Sequence, residues 1–169
     1  MGNTYTVLNG AAPGANAAIP VPTGTAAKTH LQIATNATSQ PIRVIEWWTE
    51  FNGSAVGTPI TVELLRHTGG AQNTLTAYGT ADITRAADPT GAPSSIQVGT
   101  ALSGFGPSGA EVTPTSVVSI QTHFVPPSSG LYFQFPLGRE PQVQVAAFLR
   151  IRTTATANVG CYAGVTWEE

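Results

Sequence analysis

Residues 142–154 read Gln-Val-Gln-Val-Ala-Ala-Phe-Leu-Arg-Ile-Arg-Thr-Thr, and their alternation decides the fold class. Val143, Val145, Ala147, Leu149 and Ile151 share one face, whereas Gln142, Gln144, Arg150 and Arg152 share the other with Phe148. A period of two places one face of a strand on a core and the other in water. The segment Thr154–Asn158 breaks the run, and Val159, Cys161, Ala163, Val165 and Trp167 then repeat the pattern. The two stretches predict an antiparallel hairpin.

Outward from this hairpin, similar short alternations occupy residues 28–36, 41–52, 59–67, 73–80, 94–100, 117–125 and 131–136, separated by Gly, Pro and Asn. No window carries a sustained helical period. The spacing predicts an all-β chain, an antiparallel β-sandwich of about nine strands. Within 41–52, Ile45, Trp47 and Phe51 are expected to face the core, with Val44, Glu46, Trp48 and Glu50 opposite. Trp48 is then a large aromatic on the outer side, expected at a subunit interface or beneath the loop 100–116. Residues 85–115 read as long loops around a short strand at Ile96–Val98.

Before Lys28 the composition differs. Residues 9–26, NGAAPGANAAIPVPTGTA, are uncharged and small, and prolines at 13, 20 and 22 stiffen them. The expected organisation is an extended N-terminal arm over residues 1–26, followed by one sandwich domain over 27–169. Ile19 and Val21, between or beside prolines, are the arm's apolar contacts for a partner that orders it.

Composition bounds the function. A chain of 169 residues fits one domain, and only 9% of it is charged, against roughly 25% in an average soluble domain. Lys28 and six arginines supply no basic excess for a phosphate backbone, so no nucleic-acid partner is expected. No apolar run approaches the ~18 residues of a membrane span, and the first residues lack the basic and apolar regions of a signal peptide. The expectation is therefore neither membrane insertion nor export. The single cysteine, Cys161, lies on the predicted core face, where it reads as an inert buried thiol.

No arrangement of residues points to catalysis, a cofactor or a metal. Gly104-Phe105-Gly106-Pro107-Ser108-Gly109 matches a GxGxxG pattern but lacks the following helix that holds a pyrophosphate. His30, His67 and His123 are scattered and read as surface or rim residues, His123 on a solvated face with Ser119 and Gln121 while Ile120 and Phe124 point inward. Glu46, Glu50 and Glu63 are the carboxylates inside predicted strands, and Glu46 and Glu50 flank Trp48, a pattern found both in sugar sites and on interface strands with guarding charges.

Thr23-Gly24-Thr25-Ala26-Ala27-Lys28-Thr29, Ile42-Arg43-Val44-Ile45-Glu46, Val62-Glu63-Leu64-Leu65-Arg66, the turn Pro126-Pro127-Ser128-Ser129-Gly130 and the ending Val165-Thr166-Trp167-Glu168-Glu169 occur in an order that resembles the head decoration (cement) proteins of tailed bacteriophages. The resemblance spans residues 28–169. It implies a jelly-roll-like sandwich, made in the host cytoplasm, that binds the major capsid protein on the outer capsid surface as a homo-oligomer, a trimer in this reading. Ile19, Val21, Trp48 and Phe105 are the candidate interface residues. The alternative is a carbohydrate- or receptor-binding subunit of a phage tail or head fibre.

Overall fold

The computed structural model describes residues 2–10, 20–38, 40–54 and 57–169. Strands β1 (Thr4–Leu8), β2 (Val21–Pro22), β3 (Ala27–Ala34), β4 (Ile42–Phe51) and β5 (Ile60–His67) form the first part of the chain. Short strands β6 (Thr76–Ala77), β7 (Thr84–Arg85) and β8 (Gly104–Phe105) punctuate the long loops. Strands β9 (Val118–Val125), β10 (Gly130–Gln134), β11 (Gln142–Val143), β12 (Phe148–Thr154) and β13 (Gly160–Glu168) complete it.

They form two sheets, and β12 and β13 fall in different ones, so the hairpin expected of them does not form and the turn between them crosses from one sheet to the other. In the first the order is β10-β4-β13-β1-β7, with β11 extending the β10 side of β4 and β2 also paired with β13; in the second it is β6-β8-β3-β12-β5-β9. The named strand pairs are antiparallel, and the sheets pack face to face as a β-sandwich. Tyr5, Val7, Trp47, Val165 and Trp167 of the first sheet meet Leu31, Ile33, Val62, Leu64, Leu149 and Ile151 of the second in one buried cluster. Tyr5 stacks on Trp167 with ring centroids 5.8 Å apart, and its hydroxyl donates to the Ala92 carbonyl at 2.8 Å.

Among the described residues before Lys28, two segments belong to the sandwich rather than to a separate arm. Thr4–Leu8 pair along their whole length with β13, from Thr4↔Glu168 to Leu8↔Gly164, and Val21–Pro22 pair with Cys161 and Gly160. Tyr5 and Val7 alternate with polar residues, so the segment has its own apolar face, which the sandwich buries. The boundary expected at residue 26 is thus crossed by two strands of the fold.

Local irregularities correct several face assignments. β13 follows β4 in register from Cys161↔Phe51 to Thr166↔Glu46, after which Trp167 lies opposite Val44. Ile45 is the extra residue of a bulge, which shifts the phase so that Ile42 and Val44 enter the core with Trp47 and Phe51 while Ile45 is half-buried. The run 142–154 also breaks: Ala146 adopts φ 55°, and Val145 is exposed, whereas Val143, Ala147, Leu149 and Ile151 remain buried. The segment 94–100 is not a strand. It lies against the sheets through buried Ile96 and a hydrogen bond from Gln97 N to the Ala34 carbonyl at 2.9 Å. In β9, His123 pairs opposite the core residue Val62, which turns Gln121 and His123 inward and Phe124 outward. Gln121 Oε1 accepts the Trp47 indole N–H at 2.8 Å, giving that buried donor its partner.

The outer face of the second sheet is roofed by the long loops. Arg150, expected in water, is fully buried there, and all five of its N–H donors are used. Nε and Nη2 donate to Gln32 Oε1 at 3.1 and 2.8 Å, Nη2 also to the Gly70 carbonyl at 2.7 Å, and Nη1 to the Val112 carbonyl at 2.8 Å and Glu111 Oε1 at 3.1 Å. Glu111 in turn accepts from Thr29 N and Oγ1 at 2.7 and 2.8 Å. His67 is buried on the same roofed face, stacked on Phe148 with ring centroids 5.0 Å apart, whereas His30, the extra residue of a bulge in β3, is buried with its ring 2.8 Å from the Thr153 hydroxyl; neither lies on a rim.

Candidate functional site

The outer face of the first sheet stays open, and register places its side chains in three ranks. Tyr132, Trp48 and Gly164 form the central rank across β10, β4 and β13. Gln134, Glu46 and Thr166 lie on one side, and Gly130, Glu50 and Tyr162 on the other. Glu46, Trp48, Glu50, Gly130, Leu131 and Tyr132 line a shallow cleft of about 380 Å³.

A Cβ built on Gly164 would stand 2.2 Å from Cζ2, 2.5 Å from Cε2 and 2.8 Å from Cη2 of Trp48. The benzo ring therefore covers the glycine, and the missing side chain is what lets it settle onto the backbone. Trp48 is half-buried by this contact rather than by the loop 100–116. That loop lies along the other sheet, where Gly104–Phe105 pair with β3.

Glu46 is held from both sides. Its Oε2 accepts the Tyr132 hydroxyl, and its Oε1 accepts Thr166 Oγ1 at 3.1 Å. Because the Thr166 proton goes to Glu46, the 2.9 Å contact between the Thr6 and Thr166 hydroxyls runs from Thr6 to Thr166, a relay of three polar groups across β1, β13 and β4. Hydrogen bonding to the carboxylate pushes the Tyr132 phenol above its ordinary pKa. Glu50 is exposed at the far side of Trp48. Four residues of strand separate the two Glu backbones by about 13 Å, with Trp48 between them. Glu63 is engaged elsewhere, accepting Arg152 Nε at 2.8 Å.

The other sequence-predicted residues do not join this face. Val21 is buried, and Phe105 packs half-buried with its ring 5.6 Å from that of Tyr78. Both are used inside the fold; Ile19 lies outside the described residues. His123 tilts against Trp47 and Phe133, with centroids 6.1 and 6.2 Å away. Cys161 is buried, and burial pushes its thiol pKa up, in keeping with an inert role. Among the described residues no group of three His, Cys, Asp or Glu side chains could hold a metal ion. A second cleft of about 410 Å³, at the end of the sandwich beside Asn52, Pro127 and Asn158, has no ionisable side chain in its lining.

Sequence reading singled out Trp48, Glu46 and Glu50 but not Tyr132, Gly164 or Thr166. Alternation within 131–136 was visible; which strand lay beside it was not. Comparison with protein families, characterised proteins and solved structures finds no match to this chain.

Proposed function

We propose that the protein is a structural virion component that binds the outer surface of a tailed-phage capsid and stabilises the shell. One observation supports this beyond the resemblance: the lateral side of the sandwich formed by β9 and β10 has no charge. Residues 112–138 contain no Asp, Glu, Lys or Arg, yet β9 and β10 are edge strands of the two sheets. Edge strands of soluble domains are commonly guarded by charges, prolines or covering loops. Here β9 has neither a charge nor an internal proline, and Phe124 on it is 75% exposed, with Val118 also exposed and Leu137, past β10, 94% exposed. Such a side suits burial against a neighbour, either a capsid subunit or another copy in the trimer that the resemblance implies.

The test is co-sedimentation of the protein with emptied capsid shells of the encoding phage. The intact protein is expected to saturate the shells. The double variant Thr122→Lys with Phe124→Asp, which places charges on two outward positions of β9, is expected to bind at least about tenfold more weakly while keeping its circular dichroism spectrum. Absence of binding by the intact protein overturns the reading; equal binding by the variant removes β9 from it.

A further inference from the structure

We propose that the outer face of the first sheet is a binding site for an uncharged saccharide, with Trp48 and Tyr132 as its stacking surfaces and Glu46 and Glu50 as acceptors for sugar hydroxyls. This goes beyond shell binding and does not depend on it, because the cleft lies on a sheet face and the uncharged side on the strand edges.

Three features of the cleft converge on that ligand class. The first is the aromatic floor. Trp48 lies on Gly164, and Tyr132 stands directly opposite Trp48 in the strand register, 63% exposed. Two neighbouring rings on an open face offer an extended apolar surface, which suits the C–H face of a pyranose. An enclosing cage of rings, as used for quaternary ammonium groups, is not formed: the cleft is shallow, and its remaining lining is Leu131, Gly130 and the two carboxylates.

The second is a pre-set polar rim. The Tyr132 and Thr166 hydroxyls fix the Glu46 carboxylate, one on each oxygen, and each oxygen retains a lone pair for a further donor. Glu50 supplies a second acceptor on the opposite side of the ring floor. Trp47 and Trp167 donate their indole N–H groups to Gln121 and Glu169 at 2.8 and 2.9 Å. Acceptors on both sides of a flat apolar floor together match a polyhydroxylated ring.

The third is charge. Two carboxylates and no Lys or Arg line the cleft, so phosphate, sulfate and carboxylate ligands meet repulsion with no compensating cation. A purely apolar ligand would strip water from the carboxylates and offer them no hydrogen bond. An uncharged saccharide satisfies both halves of the site.

Indole signals in ¹⁵N–¹H correlation spectra of the full chain provide the test, since three tryptophans give three resolved probes. Mannotetraose, cellotetraose and chitotetraose are each titrated to about 10 mM, which approaches saturation for a ligand of millimolar Kd. A sulfated tetrasaccharide and choline serve as the anionic and cationic comparisons. At least one neutral tetrasaccharide is expected to shift the Trp48 indole signal saturably while those of Trp47 and Trp167 stay in place. Trp48→Ala and the surface change Tyr132→Ala are each expected to weaken binding about tenfold with the remaining spectrum preserved. Should Trp48→Ala disturb the fold, Tyr132→Ala alone decides. No shift with any neutral tetrasaccharide, binding unaffected by Tyr132→Ala, or a shift produced by choline or the sulfated sugar in their stead overturns the proposal.

Discussion

Arg150 carries a disproportionate share of the second sheet's order. Its guanidinium ties Gln32 in the sheet to Gly70, Glu111 and Val112 in the roof, so one side chain fixes two loops. Replacing it by methionine keeps much of the volume but removes the counter-charge beside Glu111 and the guanidinium's hydrogen bonds to Gln32, Gly70 and Val112 in a low-dielectric site. Arg150→Met is therefore expected to cost about 3–5 kcal/mol in urea unfolding, the range for breaking one side of a buried ion pair. Alternation alone assigns this arginine to water, and its burial has a physical cause. Period two reports that two faces differ, and says nothing of a loop from 40 residues away closing over the polar one. Cys161 and Trp47 were legible because both neighbours and phase agreed. Val44 and Ile45 were not, since a bulge shifts phase without a distinct composition.

The first strand shows the same limit at the level of elements. Composition after residue 9 suggested an arm, and that suggestion absorbed Thr4–Leu8, whose Tyr5 and Val7 carry a strand pattern only five residues long. Pairing with β13 on one side and with β7 on the other makes it an interior strand. Removal of residues 2–9 would uncover the β13 edge and the faces of Trp167 and Val165, and would delete two buried side chains worth roughly 1.5–3 kcal/mol each. The truncated chain is expected to unfold at least 10 °C below the intact one in a thermal melt followed at 218 nm, or to aggregate. A truncation that melts with the parent would show that β1 is dispensable. The candidate site had a similar history: residues on β4 were readable singly, but the rank Tyr132–Trp48–Gly164 exists only through long-range register.

For the molecule as a whole, acid is the expected weakness. Burial, reinforced by Lys28, lowers the His30 pKa to about 3, and burial with Arg150 nearby lowers that of His67 to about 4, the Gly69 carbonyl opposing the shift. Both rings are neutral in the folded protein and take up protons near pH 6.5 when unfolded. The unfolded state thus binds more protons between pH 6.5 and the folded values, and stability falls as pH falls through that window. Their contribution is complete above pH 6.5; within the window His30 alone accounts for about 1.4 kcal/mol per pH unit. Urea midpoints measured from pH 7.5 down to 4.5 are expected to decline, and His30→Gln to flatten the decline. A midpoint independent of pH over this range would contradict the buried neutral state.

Backbone pairing of Asn3 with Glu169, through N···O contacts of 3.2 and 3.1 Å, sets these two residues side by side at the open end of an antiparallel ladder. The mechanical result is asymmetric. Tension applied between residues 3 and 169 loads their own hydrogen-bonded pair first and then the bonded pairs further along the ladder in turn, as a zipper opens, so only about one hydrogen-bond pair resists at any moment. Force spread across the sheet faces must instead shear many pairs together. An attachment made through residues 3 and 169 would peel the protein, whereas one made through its flanks would meet the full strength of both sheets.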